Sequence, residues 1–257
     1  MKDYGLVSII TPNWNCARFI SETIKSVQAQ TYQNWEMIIV DDCSTDGSDK
    51  VVEPFMKEDR RIRFLRNEKN SGAAVGRNYA LREAKGRWIA FLDSDDLWMA
   101  DKLEKQLKFM VDNGYHFSYH NSIDIDEDGK ERGRIVTGPK RVGSISMYNY
   151  DWVGCLAVMY DAGVVGLIQI EDIKKNNDYA MWLKVCKNAD CYLLDEILAK
   201  YRVRAGSISR QKKTVLVKWH YKMWHEAEHQ NPALAGFNTI RNMFFGLIKK
   251  LLYEKYY

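Results

Sequence analysis

The sequence predicts an α/β fold built on a mostly parallel sheet, with helices flanking the sheet and a helical extension at the C-terminal end. Short apolar runs alternate with segments whose apolar residues recur at helical spacing. The runs cover residues 6–11, 35–40, 61–65 and 87–92. Strands that alternate with helices are typical of βαβ units, in which the crossover helices cover a parallel sheet.

Each run is followed by a segment with the pattern of an amphipathic helix. Apolar residues in these segments lie three and four positions apart, on one face of a helix. The four sets are Ile20, Ile24 and Val27; Val51, Val52, Phe55 and Met56; Ala74, Tyr79 and Leu81; and Leu103, Leu107 and Met110. Ser71 is placed to cap the third helix.

The composition is that of a globular protein. Hydrophobic residues make up 46% and charged residues 28% of the 257 residues, which excludes wholesale disorder. No stretch reaches the roughly 18 uninterrupted apolar residues of a membrane-spanning helix, so we do not expect an integral membrane protein. The five cysteines form no C-x-x-C pair, which favours a reducing cytosol over a disulfide framework or a zinc site. We therefore expect a cytoplasmic location.

Charge is unevenly distributed along the chain. Residues 200–257 contain 12 Lys and Arg against three Glu, whereas the rest of the chain is net acidic. The asymmetry predicts a C-terminal segment that meets a polyanion or an anionic membrane surface, with a solvated basic helix as the alternative.

An apolar stripe runs through the same segment. It is formed by Phe237, Ile240, Phe244, Leu247 and Leu251, with lysines alongside. The pattern fits an interfacial helix peripheral to the inner face of the plasma membrane. It fits equally a helix that packs on the body of the protein, or on a second copy of the chain in a homodimer.

Residues that follow the predicted strands indicate a ligand site, because ligands of open α/β sheets bind at the carboxyl ends of the strands. These residues include Pro12, Trp14, Asp42, Arg77 and the acidic segment 93–96. Carboxylates would repel a bare phosphate, whereas a divalent cation can bridge carboxylates and a diphosphate. Oxygen ligands favour Mg²⁺ or Mn²⁺. The residues alone thus predict a metal-assisted site for a nucleoside diphosphate compound.

Four segments carry a resemblance to a known family: VSIITPNWN, IIVDDCSTDGS, NSGAAVGRN and WIAFLDSDDLW. In this order and spacing they resemble a glycosyltransferase of family 2 over about residues 5–110, and the resemblance resumes at NNDYAMWLKV and YRVRAGSIS. It implies the GT-A fold, which is Rossmann-like, and a metal-dependent inverting hexosyltransferase. Such an enzyme transfers a sugar from a nucleotide-diphosphate donor, here expected to be a UDP-sugar.

The resemblance also organises the chain into domains. We expect a GT-A catalytic domain over residues 1–210, with the nucleotide-sugar half at about 1–110 and the acceptor half at about 111–210. Residues 211–257 then form a basic amphipathic helical extension.

Donor-binding roles follow by matching positions to the family's motifs. Pro12 and Trp14 match residues that line the nucleobase pocket, and Trp14 keeps the aromatic ring where the family usually has Tyr. Asp42 matches the residue that hydrogen-bonds the base. Arg77 matches a basic residue near the base and the diphosphate.

The segment Asp93-Ser94-Asp95 matches the family's D-x-D motif. In that motif the first aspartate faces the ribose or the sugar, and the second binds the metal, Mn²⁺ or Mg²⁺. We therefore expect Asp93, Ser94 and Asp95 to bind the donor and the two aspartates to hold the cation. Asp96 is an additional acid, which we expect to support the two motif aspartates without itself contacting the metal.

The catalytic base is expected to be Asp178, which matches the aspartate of the family's Glu-Asp pair. Asn177 replaces the usual Glu. Arg204 stands where many members have a His implicated in metal or diphosphate contact. Arginine cannot ligate a cation but pairs with phosphate, so we expect Arg204 to contact the diphosphate.

Each of these residues has a structural alternative. Asp42 could be a turn residue, segment 93–96 a loop at a helix start, and Asp178 a helix cap. Trp14 could equally belong to the core.

The acceptor side is less strongly patterned. It is expected within residues 140–176, where Tyr150 and Trp152 could stack on a sugar ring. The acceptor itself is expected to be a hydroxyl of a cell-surface polysaccharide or a lipid-linked glycan.

Two other functions remain open. The protein could be a catalytically inactive relative that binds glycans or acts as a scaffold. Basic and aromatic residues between Lys200 and Lys222 could bind nucleic acid, but the acidic body and the apparent diphosphate site argue against a nucleic-acid partner.

Overall fold

The structure is a computed structural model that describes residues 2–204 and 213–257. The described strands are β1 Val7–Asn13, β2 Trp35–Asp41, β3 Ile62–Arg66, β4 Trp88–Phe91, β5 Leu97–Trp98, β6 Phe117–Ile125, β7 Glu131–Val136, β8 Arg141–Val142, β9 Met159–Asp161, β10 Cys191–Arg202 and β11 Glu254–Tyr256. The described α-helices are α1 Ile20–Gln28, α2 Ser48–Glu58, α3 Ala73–Glu83, α4 Lys102–Asn113, α5 Ser144–Asn149, α6 Ala162–Val165, α7 Asn177–Val185, α8 Lys213–Lys222 and α9 Pro232–Leu252.

All of these strands belong to one sheet. Strands β3, β2, β1 and β4 run parallel in this spatial order, as predicted. Strand β9 pairs antiparallel with both β4 and β6, and the sheet continues through β7 to β11. Strand β10 pairs in parallel with β6 and antiparallel with β5 and β8. The sheet is therefore parallel in its first half and mixed in its second half.

The central strands are buried on both faces. Ile9 and Ile39 lie in the core on one face of the sheet, and Ile10 and Ile38 lie in the core on the other face. A strand that is covered on both sides needs successive apolar residues. This is why the runs that formed β1 and β2 show no alternation of polar and apolar residues.

Helix α1 confirms the predicted pattern, since Ile20, Ile24 and Val27 are all buried. The capping role predicted for Ser71 is wrong. Helix α3 is preceded by Gly72 at a φ of +89°, a conformation that glycine adopts without steric cost.

The C-terminal segment is part of the body. Strand β11 pairs with β7 and so extends the main sheet. Helix α8, a π-helical turn at Met223–Ala227 and helix α9 lie before it in the chain. The predicted boundary between residues 210 and 211 lies outside the described residues. Within the described part of the chain, no helix is long and apolar enough to cross a membrane.

Asn242 on α9 fixes this helix to the body. Its Nδ2 donates to the carbonyl oxygens of Tyr148 and Asn149 at 3.0 and 2.8 Å, and to the hydroxyl of Tyr179 at 3.1 Å. Its Oδ1 accepts from Nε1 of Trp224 at 2.7 Å. Buried polar groups in such a network are costly to leave unpaired, so the network holds α9 in one orientation.

His220 on α8 makes the stability of this region depend on pH. Its Nδ1 lies 3.2 Å from Oδ1 of Asn242, and burial lowers its pKa to about 4. Between that value and about 6.5 the unfolded chain binds a proton that the folded chain does not. As the pH falls through this window, the free energy of unfolding should therefore fall by up to about 3 kcal/mol more than in His220→Gln.

Urea unfolding of both proteins between pH 4 and 7 measures this difference. His225→Gln serves as the matched control, because His225 is an exposed histidine close by in the chain. Parallel pH profiles for the wild type and His220→Gln would contradict the prediction.

Candidate functional site

The candidate site lies at the carboxyl ends of the parallel strands. The register pairs Asn13 at the end of β1 with Asp41 at the end of β2, and Ile10 with Phe91 at the end of β4. The loops that follow these three strands therefore meet at one edge of the sheet, as expected for open α/β folds.

The junction of β1 and β2 is held by an acid that has a structural role. Asp41 accepts a hydrogen bond from Nδ2 of Asn13 at 2.8 Å and another from the backbone N–H of Ser44 at 3.0 Å. Oγ of Ser44 in turn accepts from the N–H of Asn15 at 2.8 Å. This network sets the path of the chain around Trp14.

Trp14 is exposed at this edge, with 56% of its surface accessible. The alternative that places it in the core is therefore wrong. Pro12 lies half-buried in β1, close to Gly76 of α3. The two residues offer an aromatic face and an apolar base beside the strand ends, and their contact with a nucleobase stays a prediction.

Asp42 holds the start of α3. Its carboxylate accepts from the N–H groups of Ser71 and Gly72 at 2.8 and 2.7 Å, and from Nδ2 of Asn67 at 2.8 Å. The side chain thus has the structural role foreseen as its alternative. Its predicted hydrogen bond to a nucleobase is untested, and any such bond has to use the lone pairs that these three donors leave.

The backbone of the segment 93–96 is fixed by two residues that the sequence did not single out. The hydroxyl of Thr23 lies 3.1 Å from the carbonyl oxygen of Ser94 and 2.9 Å from that of Asp96. Arg202 at the end of β10 donates through Nε to the carbonyl of Asp95 at 2.8 Å. Its backbone N–H donates to Oδ1 of Asp96 at 2.7 Å. The side chain of Arg202 is fully buried.

The carboxylates of this segment lie close enough to repel one another. Burial raises the pKa of Asp95; Asp93 raises it further and Arg204 opposes the rise. Burial raises the pKa of Asp96 well above its usual value, with Asp95 and Asp93 adding to the effect. A cation placed beside Asp93 and Asp95 would relieve this repulsion.

The donor set fits a hard cation that shares its ligands with a substrate. Among residues 2–204 and 213–257, no group of three or more His, Cys, Asp or Glu is placed to hold a metal. Mg²⁺ is commonly bound by one or two carboxylates together with substrate phosphates. Asp93 and Asp95 supply two carboxylates of this kind, so the remaining ligands would have to come from a bound diphosphate and water.

Arg204 contacts the acidic segment directly. Its Nε lies 2.7 Å from Oδ2 of Asp95, and NH1 lies 3.4 Å from Sγ of Cys16. The guanidinium is partly exposed, with 31% of the side chain accessible. Arg204 is therefore at the site where it was expected, and its contact with a diphosphate stays a prediction.

Arg77 links the acidic segment 93–96 to helix α7. From α3 it donates to Oδ1 of Asp93 at 2.6 Å and to Oδ1 of Asn177 at 2.8 Å. The arginine is almost fully buried, so much of its hydrogen-bonding capacity is used inside the protein. Asn177 is the residue that replaces the family's usual Glu, and its amide accepts from Arg77 without adding a second charge that competes with Asp93.

Asp178 lies in the first turn of α7, beside Asn177. It is half-buried, and its Oδ1 accepts from the N–H of Tyr179 at 2.9 Å. The N-cap position is occupied by Asn176 at a φ of 56°, so Asp178 is not the N-cap residue. Through Arg77 its helix is tied to the segment that begins at Asp93.

The sequence pattern did not indicate a second acid, Asp151, which lies in the segment expected to bind the acceptor. Burial and the nearby charge of Asp178 raise the pKa of Asp151 to about 8. Within the described part of the chain, Oδ1 of Asp151 is buried without a hydrogen-bond partner. Its sequence position between Tyr150 and Trp152 is the only signal that could have drawn attention to it.

The stacking role predicted for Trp152 is wrong in this structure. Its ring is only 5% accessible and contacts the rings of Phe245 and Tyr253 edge-on, while Nε1 donates to the carbonyl of Ser146 at 2.8 Å. Tyr150 is half-buried and packs near Trp152. These aromatic residues join the acceptor side to α9 and leave no open ring of Trp152 for a sugar.

A parallel half-sheet with an acidic segment at its strand ends, followed by a mixed half-sheet, is in keeping with the GT-A glycosyltransferase fold that the motifs predicted. The sequence profile described as "Glycosyl transferase family 2" matches residues 8–154. The chain belongs to this family of glycosyltransferases, as its motifs predicted.

Two of the similar proteins have names that describe their activity or pathway. A putative teichuronic acid biosynthesis glycosyltransferase, TuaG of Bacillus subtilis, is 43% identical over 208 residues, which cover 80% of this chain and 82% of that protein. The Escherichia coli enzyme WfgD, named as a UDP-Glc:α-D-GlcNAc-diphosphoundecaprenol β-1,3-glucosyltransferase, is 40% identical over 214 residues, covering 82% of each chain.

Solved structures confirm the fold. Residues 1–349 of S. aureus TarS in complex with UDP-GlcNAc align with a TM-score of 0.71 at 21% identity, over 89% of this chain and 69% of that one. The mannosyltransferase PcManGT of Pyrobaculum calidifontis, in complex with GDP-Man and Mn²⁺, aligns with a TM-score of 0.63 at 17% identity, over 95% and 75% of the two chains.

Removing the hydroxyl of Thr23 should loosen the acidic segment. Thr23→Val keeps the shape of the side chain but leaves the carbonyls of Ser94 and Asp96 without this donor. We expect the free energy of unfolding to fall by about 1–3 kcal/mol, because buried acceptors lose their partner. Chemical denaturation measures the change.

The matched control is Thr31→Val, which removes a hydroxyl that is bonded to Glu104 at the surface. This variant should change the free energy of unfolding by about 0.5 kcal/mol at most. Equal effects of the two substitutions would show that Thr23 has no special structural role.

Proposed function

We propose that this glycosyltransferase moves a hexose from a UDP-sugar to a hydroxyl of a lipid-linked or cell-surface glycan, with inversion at the anomeric carbon. The observation that carries the proposal is the bridge made by Arg77. It ties Asp93 of the donor segment to Asn177, the neighbour of Asp178. A donor bound at Asp93 and a base at Asp178 would then be held at a fixed separation.

The donor binds at the strand ends. The face of Trp14 stacks on the nucleobase above Pro12, and Asp42 offers its remaining lone pairs to the base. Ser94 and the flanking aspartates lie against the sugar and the diphosphate. Asp95 and Asp93 hold Mn²⁺ or Mg²⁺, which, when bound, neutralises the charge that develops on the departing diphosphate.

Residues of the chain accept the proton of the acceptor and stabilise the charge of the leaving group. Asp178 accepts the proton of the acceptor hydroxyl as that oxygen attacks the anomeric carbon. Arg204 turns its guanidinium from Asp95 toward the diphosphate, where it can pair with two phosphate oxygens. A single displacement of this kind breaks the bond to the diphosphate, forms the bond to the acceptor and inverts the stereocentre.

The names of relatives support the nature of the acceptor. WfgD is named for transfer from UDP-Glc to a diphosphoundecaprenol-linked sugar, and TuaG for teichuronic acid biosynthesis. The first name specifies a lipid-linked acceptor, and the second the biosynthesis of teichuronic acid. The free thiols of all five cysteines are in keeping with work on the cytoplasmic side.

Calorimetric titration with UDP, in the presence and absence of Mn²⁺, tests the donor site. We expect binding that strengthens with metal and that loses this dependence in Asp95→Ala, because this variant lacks a carboxylate that would hold the cation. Arg204→Ala should weaken binding by about tenfold, the loss of one charge-assisted pair.

Asp112→Asn provides the control for the loss of an acid, because Asp112 is an exposed residue of α4 paired with Lys108. It should bind UDP as the wild type does. A folded wild type that binds no nucleotide with Mn²⁺ present would overturn the transferase proposal in favour of a glycan-binding scaffold. Unchanged affinity in Arg204→Ala would remove that residue from the donor site.

Asp178→Asn separates catalysis from binding. An amide cannot accept the proton of the acceptor, so we expect kcat for sugar transfer to fall by about 10² to 10⁴. The affinity for UDP should stay within about twofold, since the side chain faces the acceptor. Transfer of a radiolabelled sugar and calorimetry measure the two quantities.

The control is Asp172→Asn, an exposed acid a few residues before α7. It should leave both kcat and the affinity for UDP unchanged. Full transfer activity in Asp178→Asn would assign the base to another residue.

A further inference from the structure

Helix α9 has one face bound to the protein and one face exposed. Ala235, Asn238, Thr239 and Asn242 are buried against the body. The exposed face carries large apolar side chains that are 59–81% accessible: Phe237, Ile240, Phe244, Leu247, Leu251 and Leu252. A contiguous apolar stripe of this kind indicates an interaction surface.

The charge of the helix indicates what covers the stripe. The 21 residues of α9 contain no Asp or Glu, and its three charged residues are Arg241, Lys249 and Lys250. Lys250 is exposed, as is Lys255 just beyond the helix. Apolar residues bordered by cations suit an anionic lipid surface. A second copy of the same helix would instead place like charges against each other.

A cavity beside the stripe supplies a more specific contact. It has a volume of about 300 Å³ and is lined by Ser144, Ile145, Tyr148 and Arg241. Ile145 is 77% exposed and thus adds to the apolar surface. The cavity combines a guanidinium and a hydroxyl with an apolar rim.

Arg241 is held in place by neutral oxygens. Its Nε donates to Oδ1 of Asn149 at 2.7 Å, and NH1 and NH2 lie 3.5 Å from Oδ1 of Asn238 and 3.4 Å from the carbonyl of Ile145. Among the residues that the structure describes, no carboxylate forms an ion pair with it. Its positive charge therefore remains available to a phosphate.

The buried face of α9 connects this surface to the acceptor side. Asn242 bonds to the hydroxyl of Tyr179, the residue after Asp178. Lys249 donates through Nζ to the carbonyl of Asp151 at 2.9 Å. A helix is about 10–12 Å across, so a bilayer on its outer face would lie about one helix diameter from this part of the acceptor side.

We propose that the exposed face of α9, together with Ile145, docks on an anionic bilayer, and that Arg241 binds a lipid phosphate there. The docking itself is independent of catalysis. Its consequence for the acceptor rests on the proposed function: a lipid-linked glycan would reach Asp178 from the membrane on which the enzyme lies.

Vesicle flotation of the full chain tests the docking. We expect binding to vesicles of phosphatidylcholine with phosphatidylglycerol, and little binding to phosphatidylcholine alone. The triple variant Phe237→Ser, Phe244→Ser, Leu247→Ser should lose about tenfold or more in vesicle affinity, because three exposed apolar side chains no longer enter the lipid. Arg241→Gln should reduce the preference for the anionic vesicles.

Val164→Ser is the matched control, because Val164 is an exposed apolar residue of α6 with 50% of its surface accessible. It should bind anionic vesicles as the wild type does. The triple variant should retain calorimetric binding of UDP, since none of its residues lies at the strand ends. Such retention also shows that the variant is folded.

Two results would overturn the proposal. One is equal binding of anionic vesicles by the wild type and the triple variant. The other is a wild type that binds neither vesicle and sediments as a dimer that the triple variant dissociates, which would assign the surface to a second copy of the chain. Vesicle binding without any binding of UDP would refute the proposed function and leave the docking intact.

Discussion

The arrangement of the site depends on one buried guanidinium. Arg77 is held between Asp93 and Asn177, residues from the predicted donor and acceptor halves of the chain. Burial opposes its charge, but Asp93 and other nearby groups raise its pKa, so it stays cationic and cannot release either partner without cost. An apolar side chain of similar size could fill the space but could not fix the direction of both partners.

A second arginine, Arg202, holds the acidic segment 93–96 in place. Arg202 lies between this segment and α1, where it pairs with Glu22 at 2.7 Å and stacks on Phe19. The segment is thus held through its backbone, while Asp93 and Asp95 keep their carboxylates at the site. Because the segment is held by its main chain, its carboxylates are free to exchange a protein partner for a ligand. Arg204, which pairs with Asp95, is placed for such an exchange.

The sequence predicted what depends on local pattern and failed where distant contacts decide. Successive apolar residues identified the parallel strands, and four motifs identified the family, because both lie within short segments. Trp152 was assigned to a sugar from its type alone, yet Phe245 of α9, about 90 residues later in the chain, packs against it. Thr23 and Arg202 look ordinary in the sequence, since their importance comes from carbonyl groups about 70 and 107 residues away.

Asp151 shows how burial separates the roles of two nearby acids. Its raised pKa keeps it protonated near neutral pH, and a protonated carboxyl donates a hydrogen bond but does not accept a proton from a hydroxyl. Asp178, by contrast, is only half-buried in the first turn of α7. The difference in burial therefore supports the proposal that Asp178 is the base, although the charge of Lys249 from α9 opposes the rise in the pKa of Asp151. Lys249 also donates to the carbonyl of Asp151, so the C-terminal helix contacts the segment that we propose binds the acceptor.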